Sequence, residues 1–293
     1  MLPEHLVREL RYVEIATARK MRNVRAGAYT SRLRGSGFDF DEHRPYRAGD
    51  DVRRIDWNVT ARLNMPFVRE THAERELNTI IGVDLSRSMA YGGADRSKKE
   101  QMIFIAACLV FSALADQINV GFLAFSDRVL RYSPPSRARH RAWQILEELW
   151  AIESPVGRTS AVPAIRHLVR HLKRMSVVFL VSDFMLDDDL AASSDLKVMT
   201  AKHDVVAVVV EDPVETALPA GSGTVRLRDV ESGAELRVGL DDGLRRRYAA
   251  VVQSRRDALV RTFYRIPVEH TFVRSDRTAI GPLMELFAAR KRA

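Results

Sequence analysis

From about residue 77 onward, short apolar runs alternate with longer segments that have helical periodicity. The apolar runs have the length of strands and are rich in β-branched residues, which is typical of strands buried on both faces of a sheet. Strands are predicted in 78–85, 119–127, 128–135, 176–184, 203–213 and 266–275, with 128–135 an edge strand that Pro134 and Pro135 end. Helices are predicted in 1–22, 97–117, 137–152, 159–174, 186–202, 245–263 and 280–293.

Strands that are each followed by a helix predict an α/β fold. The expected sheet is mostly parallel, doubly wound and Rossmann-like, with helices on both sides. Two segments depart from the alternation. Residues 224–239 predict an inserted β-hairpin that turns at Ser232 and Gly233, and residues 23–76 predict a small irregular region rich in Gly, Arg and Asp. We therefore divide the chain into an N-terminal region, 1–76, and an α/β domain, 77–293.

Composition narrows the class of protein. The 293 residues are 46% apolar and 29% charged, which is an ordinary globular balance. Since the sequence shows neither a signal peptide nor a run that could span a bilayer, we expect a cytoplasmic protein. The net charge is +8, and residues 1–34 hold eight Lys or Arg against three acidic residues. This basic segment could bind nucleic acid, anionic lipid or an acidic partner, or be a solvated helix face; the sequence leaves both interpretations open.

The end of the first predicted strand carries an unusual set of oxygen-bearing side chains. Asp84, Ser86 and Ser88 alternate there, and Thr159 and Asp183 fall at later strand-end loops. In a parallel sheet such loops meet at one edge, where ligands bind. Two carboxylates and three hydroxyls suit a hard cation such as Mg²⁺, with Mn²⁺ or Ca²⁺ as alternatives, and suit zinc poorly. Because few ligands are anionic, the ion would stay electrophilic and favour an acidic side chain of a partner protein.

Several other interpretations of these motifs were weighed. Ser86 or Ser88 could merely cap the following helix. The acidic segment 186–190 is interpreted as the start of a helix. His167 and His171 have a zinc-compatible spacing but lack the glutamate of a metalloprotease motif, so we interpret them as surface histidines. An enzyme with Asp84 as a phosphotransfer nucleophile is the alternative to a binding module, although phosphatases of the haloacid dehalogenase type have an aspartate where this chain has Ser86.

Two parts of the sequence each resemble a known protein family. "VDLSRSM" (83–89), Thr159 and "VSDF" (181–184) resemble the von Willebrand factor A domain and its metal-ion-dependent adhesion site. The stretch 35–62, "GSGFDFDEHRPYRAGDDVRRIDWNVTAR", resembles the signature of the bacterial DUF58 family. The resemblance implies a non-enzymatic, Mg²⁺-dependent interaction module that works with a MoxR-type AAA+ ATPase or with that ATPase's client. Arg158 and Ser160 stand where such domains often have Gly and Asp, which weakens the assignment of Thr159.

The signature stretch also has a physical interpretation. Arg44, Arg53, Arg54 and Arg62 can pair with Asp50, Asp51 and Asp56, and Trp57 supplies an apolar anchor. We interpret this set as an ion-paired clasp, with a docking surface for a partner as the alternative.

Overall fold

The computed structural model describes residues 2–20, 42–47, 50–63, 65–70, 77–93, 96–137, 139–155, 159–229 and 233–292. These form two compact units, one of Met1–Arg32 with Leu77–Ala293 and one of Leu33–Glu76. The described strands are β1 (Glu42–Pro45), β2 (Phe67–Glu70), β3 (Asn78–Asp84), β4 (Asn119–Phe125), β5 (Val129–Ser136), β6 (Ser176–Ser182), β7 (Asp204–Glu211), β8 (Gly223–Arg228), β9 (Glu235–Leu240) and β10 (Glu269–Arg274). The described helices are α1 (Glu4–Lys20), α2 (Trp57–Leu63), α3 (Arg87–Ala90), α4 (Lys98–Ala115), α5 (Arg139–Ala151), α6 (Val162–His171), α7 (Ser194–Lys202), α8 (Pro213–Thr216), α9 (Asp242–Arg265) and α10 (Ile280–Arg292).

The larger unit is built on a six-stranded sheet with the order β10-β7-β6-β3-β4-β5. Its neighbouring strands are parallel except for β5, which is antiparallel to β4. All six predicted strands are present, and the predicted fold class is confirmed. Strand β5 continues through Pro134 and Pro135 instead of ending before them. As an edge strand it tolerates residues without an N–H on its outer side.

Helices pack on both faces of this sheet, as a doubly wound fold requires. One core contains Leu6 of α1, Ile105 of α4, Leu146 of α5 and Phe287 of α10. The opposite core contains Ile165 of α6, Met199 of α7 and Phe263 of α9. The prediction grouped the N-terminal helix with residues 23–76, whereas in the structure α1 belongs to the unit of the sheet and packs on α4.

Helix α7 begins later in the chain than the sequence predicts. The segment 186–202 was predicted to be helical throughout, but α7 begins only at Ser194, where the Ser193 side chain accepts the N–H of Leu196. The preceding aspartates lie in turns and bond to other backbone groups, so the prediction that they open the helix is wrong. Asp189, for example, accepts the N–H groups of Ala191 and Ala192.

The smaller unit contains more regular structure than was predicted for it. Strands β1 and β2 pair antiparallel, and Asp56 accepts the N–H groups of Asn58 and Val59 at the start of α2. Residues 21–41, including Phe40 of the signature, lie outside the described residues, as does Gly49.

The predicted hairpin is also present. Strands β8 and β9 form a separate antiparallel sheet, and Gly233 follows their turn with a φ of 75°. Ser232 lies outside the described residues. In the part of the chain that the structure describes, no helix has both the length and the apolar character that crossing a membrane requires.

Candidate metal centre

The carboxyl ends of β3, β4 and β6 meet at one edge of the sheet. Asp84 is the last residue of β3 and lies opposite Phe125 of β4, while Asp183 directly follows β6, the other neighbour of β3. Parallel strands place these ends side by side, so two carboxylates distant in sequence come to the same place. Both side chains are buried.

Asp84 is held in a dense set of hydrogen bonds. One carboxylate oxygen, Oδ1, accepts the N–H of Ser86 at 2.8 Å, and the other, Oδ2, accepts the hydroxyl of Ser182 at 2.6 Å. The hydroxyls of Ser86 and Ser88 lie 3.1 Å apart and are also buried. Ser86 occupies the cap position of α3, but its side chain makes no capping hydrogen bond. The two serine hydroxyls are therefore turned to each other and not to the helix end.

Burial, and then the nearby charge of Asp183, raises the pKa of Asp84 to about 7. Hydrogen bonds from Ser182 and Ser86 oppose this shift but do not cancel it. Two carboxylates close enough to repel each other in a buried place are an unfavourable arrangement unless a positive charge accompanies them. A bound cation would stabilise this pair of carboxylates.

The backbone around Asp183 is in an uncommon conformation. Phe184 has a φ of 52°, a left-handed geometry that bulky residues rarely adopt. The strained turn is supported by the N–H of Phe184, which bonds the Ser182 hydroxyl at 2.9 Å, and by the N–H of Met185, which bonds Oδ1 of Asp183 at 2.9 Å. Strain of this kind persists where the surrounding structure fixes a functional group. Here it fixes the direction of the Asp183 carboxylate.

A lysine that the sequence analysis did not single out lies at this cluster. The Lys98 side chain is fully buried, and its Nζ donates to Oδ2 of Asp183 at 2.8 Å and to Oε1 of Glu215 at 2.6 Å. Burial alone would lower the pKa of Lys98, but the two carboxylates outweigh it and raise that pKa. The available signal was its position, since a cation in the first turn of α4 opposes the helix dipole and needs a partner elsewhere.

The charges of these groups do not balance. Asp84, Asp183 and Glu215 are acidic and Lys98 is basic, so the cluster carries a formal excess of two negative charges when all four are ionised. Burial raises the pKa of Glu215, and the charge of Lys98 only partly offsets this. Asp212 is another buried carboxylate nearby, held by the neutral donors Gly93 N, Val214 N and Ser275 Oγ. A divalent cation would match the excess of the cluster.

Thr159 lies in the loop before α6 and is buried. The next residue, Ser160, donates its N–H to the carbonyl of Ser126, which follows β4, at 3.0 Å. The Asp187 N–H donates to the Thr159 carbonyl at 2.9 Å, and the Thr159 N–H donates to Oδ2 of the Asp187 carboxylate at 3.3 Å. The loop is therefore fastened to the same edge of the sheet. Arg158, which sequence analysis placed beside the site, lies outside the described residues.

An aspartate from elsewhere in the chain contacts Ser160, the residue after this threonine. Both oxygens of the Asp188 carboxylate lie 2.9 Å from the Ser160 hydroxyl, and Oδ2 accepts the N–H groups of Ala161 and Val162. Asp188 thus caps α6 from a distance. Because this contact joins residues 28 apart, spacing along the sequence gave no sign of it.

The five predicted ligands are not linked equally well. Asp84, Ser86 and Ser88 are directly hydrogen-bonded, and Asp183 interacts with Asp84 through charge. Thr159 shares the edge through its backbone. Among the described residues, no group of three or more His, Cys, Asp or Glu side chains is arranged to hold a metal. The predicted set contains only two such groups and otherwise hydroxyls, a donor chemistry that fits a hard cation and no soft one.

The other candidate motifs are structural. The rings of His167 and His171 stack with centroids 3.9 Å apart beside Tyr132, and Nδ1 of His171 bonds the carbonyl of His167. In the signature, the two terminal nitrogens of the Arg44 guanidinium donate to the two carboxylate oxygens of Asp50, at 2.6 and 2.8 Å. Trp57 is 67% exposed, and its role as the apolar anchor of a clasp stays a prediction.

Comparison with known proteins gives matches over most of the chain. The model of a family described as "Protein of unknown function DUF58" matches residues 42–258. The uncharacterized protein Rv1480 of Mycobacterium tuberculosis is 30% identical over 289 residues, which cover 98% of this chain and 90% of that protein. Among solved structures, BatB of Bacteroides thetaiotaomicron has a TM-score of 0.44 at 16% identity, covering 74% of this chain and 100% of that chain. A von Willebrand factor type A protein from Catenulispora acidiphila has a TM-score of 0.41 at 10% identity, covering 77% of this chain and 43% of that chain.

Proposed function

This chain belongs to the DUF58 family, and we propose that it is a protein-interaction module whose hold on its partner depends on Mg²⁺ at the edge of the sheet. The observation that carries the proposal is the cluster of Asp84, Asp183 and Glu215, in which Lys98 pairs with Asp183 and Glu215. A cluster with excess negative charge and adjacent hydroxyls favours the binding of a divalent cation.

The proposed ligands are the five residues that the motif names. Asp84, Ser86, Ser88, Thr159 and Asp183 would hold the ion, directly or through water. When bound, the ion would supply an electrophilic position for one further oxygen ligand. A carboxylate of the partner suits that position, because a charge-assisted contact with a cation is strong and directional. Mn²⁺ or Ca²⁺ could replace Mg²⁺ where coordination geometry allows.

The partner that we propose is a MoxR-type AAA+ ATPase or the client of that ATPase. This proposal comes from the resemblance to the family and is supported by the predicted need for an acidic side chain. We place the complex in the cytoplasm, which stays a prediction.

Capture of a purified MoxR-type ATPase, encoded in the same genome, tests the proposal. Wild-type protein should retain the ATPase in Mg²⁺ and lose it in EDTA. Asp84→Asn, which keeps the shape of the side chain, should also lose it, whereas the matched variant Asp189→Asn should behave as wild type. Calorimetric titration of the isolated variants with Mg²⁺ separates loss of metal from loss of partner. Equal capture by wild type and Asp84→Asn, with and without EDTA, would overturn the proposal.

We also propose that the site is not catalytic. Ser86 stands two residues after Asp84, and its hydroxyl, bonded to that of Ser88, is a poor substitute for the acid that a phosphotransfer site would use there. A screen of phosphate esters in the presence of Mg²⁺ should show no turnover that depends on Asp84. Turnover that Asp84→Asn abolishes would replace the binding function with an enzymatic one.

A further inference from the structure

Helix α9 is unusual because it is long and hardly buried. It spans 24 residues, and Phe263 is the one that is buried. Its attachments lie along one side, where the Tyr248 hydroxyl donates to the Glu215 carbonyl and Arg256 pairs with Glu211. The Arg256 guanidinium also lies 4.0 Å from the ring centre of Phe272. In soluble proteins most helix stability comes from packing of an apolar face, so such a large free surface needs an explanation.

The side of α9 opposite these attachments carries a regular row of exposed residues. Successive members are four or three positions apart, which keeps them on one face of a helix. All are exposed: Arg247, Val251, Ser254, Ala258, Arg261 and Arg265. Because Arg265 follows Arg247 by eighteen residues, the charged ends of this row are about 27 Å apart. We call these six residues the outer row of α9.

Helix α9 has a large excess of positive charge. The helix contains seven arginines and two aspartates. Two of the arginines are paired, Arg245 with Asp242 and Arg256 with Glu211. In the described part of the chain, no salt bridge holds Arg247, Arg261 or Arg265. Arginine is the cation most often used in protein interfaces, because its planar group binds carboxylates with two hydrogen bonds.

Large apolar side chains are exposed among these charges. Val251, near the start of the outer row, is 68% exposed, and Tyr264, beside its end, is 78% exposed. A protein interface typically combines a small apolar centre with charged residues at its rim, and tyrosine and arginine are enriched there. The outer row has this arrangement, with small or apolar residues between two positive ends.

We propose that the outer row of α9 binds an acidic surface of a partner protein, with carboxylates placed to meet both ends of the row. A nucleic acid would require a continuous track of cations along its backbone, but Val251, Ser254 and Ala258 interrupt the positive charge. A membrane would require a broad apolar face, and the outer row offers one large aliphatic residue. The proposal does not depend on a metal.

Binding of defined probes to the full-length protein tests this assignment. The main probe is a fluorescent, Glu-rich helical peptide of about five turns, the length of the outer row. The same peptide with Gln in place of Glu, a short DNA duplex and vesicles with anionic lipid are the comparison probes. All titrations are made in EDTA and repeated with Asp84→Asn, so that the candidate metal centre cannot contribute. We expect the Glu peptide to bind the protein and to protect the amides of α9 from hydrogen exchange. The affinity should fall as the salt concentration rises.

Charge reversal identifies the surface. The combined variant Arg247→Glu, Arg261→Glu and Arg265→Glu should weaken binding of the Glu peptide at least tenfold. The control variant Arg137→Glu, Arg170→Glu and Lys173→Glu changes the net charge equally at exposed positions elsewhere, and its affinity should stay within twofold of wild type. Equal weakening by both variants, stronger binding of DNA or vesicles than of the peptide, or a stable dimer that buries α9 would each overturn the assignment.

Discussion

Replacing Lys98 with Met tests the charge balance of the buried cluster most directly. The substitution keeps an aliphatic chain of similar length and removes the ammonium group. In the wild type, Nζ of Lys98 lies 2.8 Å from Oδ2 of Asp183 and 2.6 Å from Oε1 of Glu215. The Lys98 side chain has no exposed surface. The variant therefore leaves two carboxylates without their cation, and one of them, Asp183, already repels Asp84.

Removing one partner of a buried ion pair destabilises a protein by about 3–5 kcal/mol, because the remaining charge is left unpaired. At about 2 °C per kcal/mol for a chain of this size, Tm should fall by roughly 6–10 °C. The penalty is present at neutral pH. It should shrink as the pH falls, because losing Lys98 raises the pKa of Glu215 further and protonation then removes its charge.

Thermal unfolding, monitored by calorimetry in EDTA, measures this effect. Lys99→Met is the matched control: Lys99 is the next residue of α4, but its Nζ donates to the Ile152 carbonyl at 2.8 Å, away from the cluster. That variant should lose roughly 1 kcal/mol. Mg²⁺ should raise the Tm of Lys98→Met by more than that of wild type, because the variant cluster has one more uncompensated negative charge. If both variants lose the same stability, or Mg²⁺ stabilises all forms equally, Lys98 does not balance the cluster.

Two further predictions concern other polar contacts. Hydrogen bonds from the Arg44 side chain, and then from the Arg47 N–H, lower the pKa of Asp50 from 3.8 to about 2, so its stabilising effect is present above pH 3.8 and is lost as the pH falls through about 2. In Arg44→Met, the Asp50 carboxyl should titrate closer to 3.8 by NMR, and an unchanged value would contradict the pairing. Asp188→Ala should cost about 1–2 kcal/mol in urea unfolding, because α6 loses its distant cap, and a cost no larger than that of Asp189→Ala would show that the cap contributes nothing.

The fold could be predicted from sequence because its strongest signals are local. A strand buried on both faces must be apolar throughout, and β3, β6 and β7 have this pattern. The errors occurred where polar residues served distant groups. Asp188 lies in an acidic run of the kind that often starts a helix. Its carboxylate instead caps α6, which lies earlier in the chain. In the same way, α1 has an amphipathic sequence that specifies a buried face but not that the face packs on α4.

The candidate site divides in the same way. Asp84, Ser86 and Ser88 are close in sequence, so their spacing alone predicts that they converge. Asp183 could be added because the ends of neighbouring parallel strands share an edge. Lys98 could not, because only tertiary packing brings its ammonium to two acids, one after β6 and one in α8, that lie 85 and 117 residues away. Buried charges are paired by tertiary structure, and a hydrophobic pattern has no means of showing such a pair.

The two proposed surfaces are joined through one short segment. Glu215 of α8 accepts Lys98 at its carboxylate and the Tyr248 hydroxyl at its carbonyl, at 2.6 and 2.8 Å. Hydrogen bonds therefore run from Asp183 through Lys98 and Glu215 to the attached side of α9. Spatial continuity alone does not establish coupling between sites. It does limit how coupling could arise along these hydrogen bonds. A change at the candidate metal centre reaches α9 by this path only if it moves Glu215, because Glu215 bonds both Lys98 and Tyr248.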